Sequence, residues 1–306
     1  LGVSMGLWRS EAISTHELDM FARLKLTNRY GITLHGITRQ QKTRRKQDIA
    51  WVPSTDREYE LSIHDRTVEH DFTLTLGQRD GFRSFATGRI FAEVNRHGTW
   101  VPSATLGWRQ YTSLSPYLQV AGYKNMLDFA LSWQPEDSRW FASANAEVAR
   151  FYTQKHDAIA RGTEFNQELG YRIYHAYPDW NVRLVAGQGN YSASGKNRTH
   201  SALTRMNPDG VAPANSELVP ENFRRYGIMT GFGNNDVTTR KSSWKPFLDA
   251  GYIRDNKNGH GPAFSAGIGG PVLGGDHLVL QYLHEATGAR NRQRTSQLLL
   301  SYYLNF

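Results

Sequence analysis

His64-Asp65, His70-Asp71 and Asp276-His277 each set an imidazole beside a carboxylate, the partnership a general base needs. A polar stretch adds His200 near Ser194 and Ser201. Adjacent residues on a strand point to opposite faces, so none of the three pairs is a ready dyad. No nucleophile elbow and no zinc-ligand spacing accompanies them. Cysteine is absent, which removes thiol catalysis, Cys-ligated zinc and disulfide scaffolds. Gly267-Ile268-Gly269-Gly270 with Gly274-Gly275 is rich enough in glycine for a phosphate loop but lacks the strand-to-helix context. Asn190-Tyr191-Ser192 and Asn197-Arg198-Thr199 match a glycosylation acceptor by chance. The expectation is no enzyme, no cofactor and no metal.

Carboxylates at alternate positions suggest another chemistry, the weak and exchangeable holding of cations. On the polar faces of alternating segments stand Glu17, Asp19, Glu58, Glu60, Glu69, Asp71, Glu93, Asp128, Glu147, Glu164, Glu168, Asp249 and Glu285. The bases on the same faces are Arg23, Lys25, Arg39, Arg89, Arg109, Arg172 and Arg183, so these faces are acidic by about six charges. Glu58 and Glu60 precede Glu69 and Asp71 on the next segment, and one acidic patch is expected there. Like charges that close repel unless a cation offsets them. The chain as a whole is nonetheless basic, with 36 Lys and Arg against 28 Asp and Glu. Its surplus falls in connectors: Lys42-Thr43-Arg44-Arg45-Lys46, Thr239-Arg240-Lys241 and Arg290-Asn291-Arg292-Gln293-Arg294. These runs suit anionic lipid headgroups or water, and nucleic acid is not expected.

The elements that position these side chains have a period of 2. Leu298, Leu300, Tyr302, Leu304 and Phe306 alternate with Gln297, Leu299, Ser301, Tyr303 and Asn305; Trp140, Ala142, Ala144, Ala146 and Val148 do the same upstream. Sixteen strands are predicted, at 1–9, 17–27, 31–40, 57–64, 68–77, 84–94, 100–110, 122–133, 140–151, 163–175, 180–190, 223–233, 244–254, 261–272, 277–286 and 295–306. Hydrophobic residues make up 39% and no apolar run is long enough for a transmembrane helix. Alternation alone fits a soluble sandwich or a membrane barrel. In the barrel the apolar face meets lipid and the polar face lines a lumen.

Connectors and tryptophans decide for the barrel. Short turns at 28–30, 64–67, 95–99, 134–139, 176–179 and 273–276 share one rim, with 234–243 a longer exception. The long connectors 41–56, 111–121 and 191–222 share the other. That is the outer-membrane arrangement, and an even strand count puts both termini at the periplasmic rim. Trp100, Trp140, Trp180 and Trp244 each open an upward strand and Trp133 closes a downward one, so all five form an expected periplasmic girdle. Part of 191–222 is expected to cover or enter the extracellular mouth. The fold class is thus all-β, a transmembrane antiparallel barrel spanning residues 1–306. The chain opens at Leu1 with no initiator Met or signal peptide, and is expected to be mature or a piece of something longer.

The closing run Gln297-Leu298-Leu299-Leu300-Ser301-Tyr302-Tyr303-Leu304-Asn305-Phe306 resembles the terminal signal of bacterial outer-membrane barrels. With the size and the sixteen strands, the whole chain resembles the C-terminal barrel of outer-membrane exopolysaccharide export porins, above all the PelB family of the Pel system. The poly-N-acetylglucosamine exporters share the domain plan and are the nearest rival. The resemblance implies periplasmic helical repeats upstream, contact with export-complex proteins through that region, and secretion of a biofilm exopolysaccharide with free amines. An acidic lumen fits such a cationic polymer. Phe21, Phe85, Phe91 and Tyr174, inward by the same register, are expected to stack on sugars. A monomer is expected, against outer-membrane lipid. The alternatives are a general diffusion porin and, behind it, a barrel hydrolase.

Overall fold

The computed structural model describes residues 1–10, 13–44, 51–194, 213–219, 221–233, 243–257, 259–273, 276–285 and 295–304. Sixteen antiparallel strands close one barrel; each pairs with its sequence neighbours and the first pairs with the last. They are β1 (Gly2–Arg9), β2 (Ile13–Lys25), β3 (Tyr30–Arg44), β4 (Trp51–Arg66), β5 (His70–Asp80), β6 (Ser84–Val94), β7 (Trp100–Gln110) and β8 (Gly122–Trp133). The second half holds β9 (Trp140–Thr153), β10 (Ala158–Tyr174), β11 (Trp180–Ala193), β12 (Phe223–Phe232), β13 (Lys245–Asp255), β14 (Gly259–Pro271), β15 (His277–Glu285) and β16 (Thr295–Tyr303). Closure runs from Gly2 opposite Tyr303 to Arg9 opposite Ser296, and leaves no free sheet edge.

The alternation puts the large apolar side chains outside. Met20, Leu24, Leu34, Leu61, Leu76, Leu106, Phe129 and Leu184 are all exposed on the outer wall. Among the described residues no helix is long and apolar enough to cross a membrane; the crossing elements are the strands. β2, β3, β4 and β10 run several residues further than the sequence pattern predicts, always at the rim away from the termini. There the pattern fades because the wall leaves the apolar layer, while ladder pairing continues, from Ile13 opposite Thr43 to Arg44 opposite Trp51.

Among the described residues, two short helices depart from the all-strand expectation. α1 (Pro116–Ala121) lies between β7 and β8, and α2 (Asn215–Leu218) lies between β11 and β12. A register shift between Gly107 and Gln110, with Arg109 at φ 54°, re-aims the end of β7. Leu114, Leu118, Val120 and Ala121 then bury against Ile13, Ala149, Phe151, Ile159 and Ala160 of the wall and Leu218 of α2. The apolar core of this protein is therefore a plug inside the outer half of the barrel. Gly122 is required where α1 meets β8, since a Cβ would stand 2.6 Å from Leu118 Cδ2 and 3.0 Å from the Tyr152 carbonyl.

Candidate functional site

The lumen divides into a plugged outer half and a polar wall below it. Ser115 caps α1, its Oγ accepting from the Leu118 N–H at 3.1 Å and donating to the Leu218 carbonyl. Pro116 suits the first helical turn, where an N–H has no partner to lose. The last carbonyls of a helix also lack internal partners. Here wall residues supply them. Arg79 donates to the Gly122 and Gln119 carbonyls, each at 3.1 Å. Gln154 donates through its side chain to Val120 at 3.1 Å and through its backbone to Ala121 at 2.9 Å. Gln119 in turn donates to Thr15 on β2 at 3.0 Å.

On β2 to β5 the carboxylates are tied into ion pairs. Arg39 reaches Glu17 at 2.8 Å, Glu58 at 2.9 Å and Asp56 at 3.6 Å, with its guanidinium 4.0 Å from the Tyr111 ring centroid. Burial holds the Tyr111 phenol above its usual range, so it stays protonated. His35 bridges Asp19 at 2.5 Å and Glu60 at 3.3 Å, and Arg89 lies 3.8 Å from Glu60. Asp71 pairs with Arg66.

The wall from β8 to β15 is different. A cavity of about 590 Å³ is lined there by Asn145, Asn166, Glu168, Arg183, Asp249 and Glu285, among others. Asn145 donates to Asp128 at 2.8 Å, Asn166 donates to Asn145 at 3.1 Å and to Glu164 at 3.2 Å, and Tyr191 donates to Glu164 at 3.1 Å. Among the described residues, Asp128 and Glu164 have no cationic partner. Arg183 serves both Glu168, at 3.4 Å, and Asp249, and Arg225 lies 4.0 Å from Glu285. Lys124 neutralises Glu147 at 2.6 Å.

Several expectations need correction. Glu69 does not line the wall: it stands exposed in the turn before β5. The patch expected from Glu58, Glu60, Glu69 and Asp71 does not form. Antiparallel register places Glu58 opposite Arg79 and Asp71 opposite Arg66, about 26 Å apart along β4. Inward bases Arg79, Lys124 and Arg225 fell outside the sequence count, as did the inward acid Asp56, and with Glu69 removed the surplus of acid is smaller than predicted. Glu93, on the inner face of β6, pairs with Arg96 of the following turn at 3.1 Å. Phe21, Phe85 and Phe91 face inward. Tyr174 does not: a register shift after Arg172 sets it opposite Trp180 on the lipid face. Part of 191–222 does cover the mouth, and a second segment beneath it supplies most of the plug. Residues 112–121 fill the mouth, and 213–219 of the longer connector cover them.

Trp100, Trp140, Trp180 and Trp244 are exposed on the outer wall at the rim that carries the termini. Trp133 packs on Trp100 with ring centroids 6.0 Å apart, and Trp140 meets Tyr171 edge-on at 5.0 Å. Of the imidazole-carboxylate pairs, His64 is held by the Thr33 and Thr73 hydroxyls, Asp276 accepts from Tyr302, and His277 is buried. Phe306, residues 195–212 with His200 and Ser201, Gly274-Gly275, Arg45, Lys46 and the basic runs 239–241 and 290–294 lie outside the described residues.

A family model described as the C-terminal β-barrel domain of PelB matches residues 2–305. No curated protein matches the sequence. Among solved structures, one described as a bacterial polysaccharide outer membrane secretin is 8% identical, with 99% of this chain and 98% of that chain covered and a TM-score of 0.60. OccK10 (OpdN) of Pseudomonas aeruginosa is 10% identical over 100% of this chain and 98% of its own, at a TM-score of 0.44. OmpF of Salmonella typhi is 8% identical over 98% and 95%, at 0.45. At these identities the first of them shows shared fold, and the others add nothing to that.

Proposed function

From the premise that the chain belongs to the PelB C-terminal β-barrel domain family and is a barrel of the bacterial outer membrane serving polysaccharide export, we propose that its cargo is a cationic amino-sugar polymer. The observation that carries this reading is the wall from β8 to β15. Glu168, Asp249 and Glu285 line one polar space together with two guanidiniums, Arg183 and Arg225, and the carboxylates Asp128 and Glu164 accept from Asn145 and Asn166 of the same lining. Two of those carboxylates are held by amides and a phenol, groups a passing ammonium can displace without breaking an ion pair.

Transport through such a wall is passive. Many weak contacts let a polymer enter and leave, where a single tight site would arrest it. The amide ladder Asn145–Asn166 adds donors and acceptors for sugar hydroxyls, and Phe21 and Phe91 offer ring faces. The barrel works as a monomer at the end of a longer export protein, whose periplasmic repeats and partner proteins deliver the chain. The plug of 112–121 closes the mouth until cargo arrives. A general diffusion porin is the second reading, since a segment folded into the lumen serves a constriction equally well.

Planar-bilayer recordings on the full-length protein separate the two. Glucosamine oligomers should block the current at concentrations where neutral N-acetylated oligomers do not. Equal block by neutral and cationic oligomers, or preferential block by anionic uronic-acid oligomers, would refute the cationic cargo.

A further inference from the structure

Arg150 on β9 stands directly opposite Arg161 on β10, and both side chains point away from the lumen. Like charges in that position repel. Among the described residues neither has an acidic partner. Arg224 on β12 and Arg254 on β13 continue the row on the same outer face, and Arg254 is paired across the sheet with His260. A row of guanidiniums on the lipid side of a barrel needs an anion.

Their depth says where that anion lies. Arg150 is ten residues above Trp140, Arg161 ten above Tyr171 and Arg254 ten above Trp244. Ten residues rise about 33 Å along a strand, and a tilt of about 40° reduces this to about 25 Å, the height of the apolar band. Since Trp140, Tyr171 and Trp244 mark the inner interface, the arginines stand at the outer headgroup layer. The wall is shaped there as well. Val148, Arg150, Arg161, Thr163, Asn190 and Ser192 line a depression of about 550 Å³. Further across the outer wall, the small Ala142, Ala144 and Ala186 leave a groove of about 1110 Å³ that ends at Arg254 and His260.

We propose that this face is a binding site for a phosphorylated lipid of the outer leaflet, its phosphate forked between Arg150 and Arg161 and its acyl chains laid along the alanine-floored groove. Guanidinium matches phosphate through two parallel N–H donors and binds it more strongly than a neutral donor does. Thr163, Asn190 and Ser192 add neutral hydrogen-bond partners for a sugar headgroup. A second copy of the chain fits poorly, because a two-fold contact would bring the same arginines against themselves.

Native mass spectrometry of the full-length protein, extracted from outer membranes in mild detergent, tests this. A phosphorylated saccharolipid should remain bound, and occupancy should fall about tenfold or more in the double variant Arg150→Ser, Arg161→Ser. Arg57→Ser, an outward arginine on β4, should leave occupancy unchanged. Heat-modifiable migration checks that each variant is still a barrel. A second arm uses the unmodified protein in nanodiscs with the same lipid before and after enzymatic dephosphorylation, and retention should require the phosphate. Millimolar inorganic phosphate should fail to displace the lipid, because the chains hold it too. Equal occupancy in the double variant, equal retention of dephosphorylated lipid, displacement by free phosphate, or a lipid-free dimer would each overturn the proposal.

Discussion

Arg79 and Asp56 form an ion pair sealed inside the barrel, with Nε donating to Oδ2 at 2.6 Å and the guanidinium fully buried. The same guanidinium reaches the carbonyls of Gln119 and Gly122, so one side chain fastens the end of α1 to the wall between β4 and β5.

Arg79→Met should therefore open the mouth. Removing one partner of a buried pair costs about 3–5 kcal/mol, and the carbonyls of Gln119 in α1 and Gly122 just after it lose their donor as well. The ladders of the sixteen strands are untouched, so the barrel should still form. We expect single-channel conductance to rise several-fold in planar bilayers, with heat-modifiable migration preserved. Conductance equal to that of the unmodified protein would show that α1 is held by something else.

The girdle gives a prediction about anchoring. Trp140 meets the Tyr171 ring at 5.0 Å, and such aromatic pairs add about 0.5–1.5 kcal/mol beyond the area they bury. Trp140→Ala should lower the denaturant midpoint of the lipid-inserted barrel while leaving conductance and ion selectivity as they were. A change in selectivity with no change in stability would place this side chain on the lumen side.

Acidification should loosen the plug through His156. Partial loss of hydration, helped by Arg109 and Arg83, holds this imidazole below its usual value of 6.5 although it stands exposed at the turn. The folded state therefore binds the proton less well than the unfolded chain. Its stabilising contribution is complete above about 6.5 and is lost as pH falls below that value. Neutral His156 can accept from the Tyr123 hydroxyl at 2.8 Å, and the same turn carries the Gln154 N–H that bonds Ala121. The exchange protection of the Gln154 amide should drop between pH 7 and pH 5, and His156→Phe should abolish that dependence. Protection that is flat with pH in the unmodified protein would count against the link.

The barrel was legible in the sequence because lipid enforces strict alternation. Trp140, Ala142, Ala144, Ala146 and Val148 could be counted with no structure in hand, and the strand order followed. Two residues further in the same count lies Arg150, so continuing the parity past the apolar run would have found the outward arginines. The plug was not legible. Pro116 to Ala121 shows neither a period of 2 nor a run long enough to declare a helix, and its burial depends on Arg79 and Gln154 from distant strands. Arg79 itself lay beyond the strand predicted at 68–77, because polar strand tips carry no alternation. Glu69 shows the opposite error, since a residue with inward parity gains no place on the wall once the strand starts at His70. Which acids are neutralised is set by register, which one chain read alone does not display.

Lumen charge offers the sharpest test, because two sets of substitutions should move selectivity in opposite directions. Arg183 is shared by Glu168 and Asp249, so Arg183→Met releases two carboxylates into the cavity and should raise the preference for cations. Asp128→Asn with Glu164→Gln removes the two acids held by Asn145, Asn166 and Tyr191, and should lower it. Glu58→Gln alters an acid already bound to Arg39 and should act on stability more than on selectivity. Low-dielectric walls focus such charge, so the shifts should be largest at low salt. They should fade as the Debye length shrinks from about 10 Å at 0.1 M to about 3 Å at 1 M. Reversal potentials under a salt gradient read all of this directly. The reading requires a cation-selective pore whose selectivity falls in the Asp128 and Glu164 variant, together with reduced polymer secretion in cells. Anion selectivity in the unmodified, unplugged barrel would remove the physical basis for a cationic cargo.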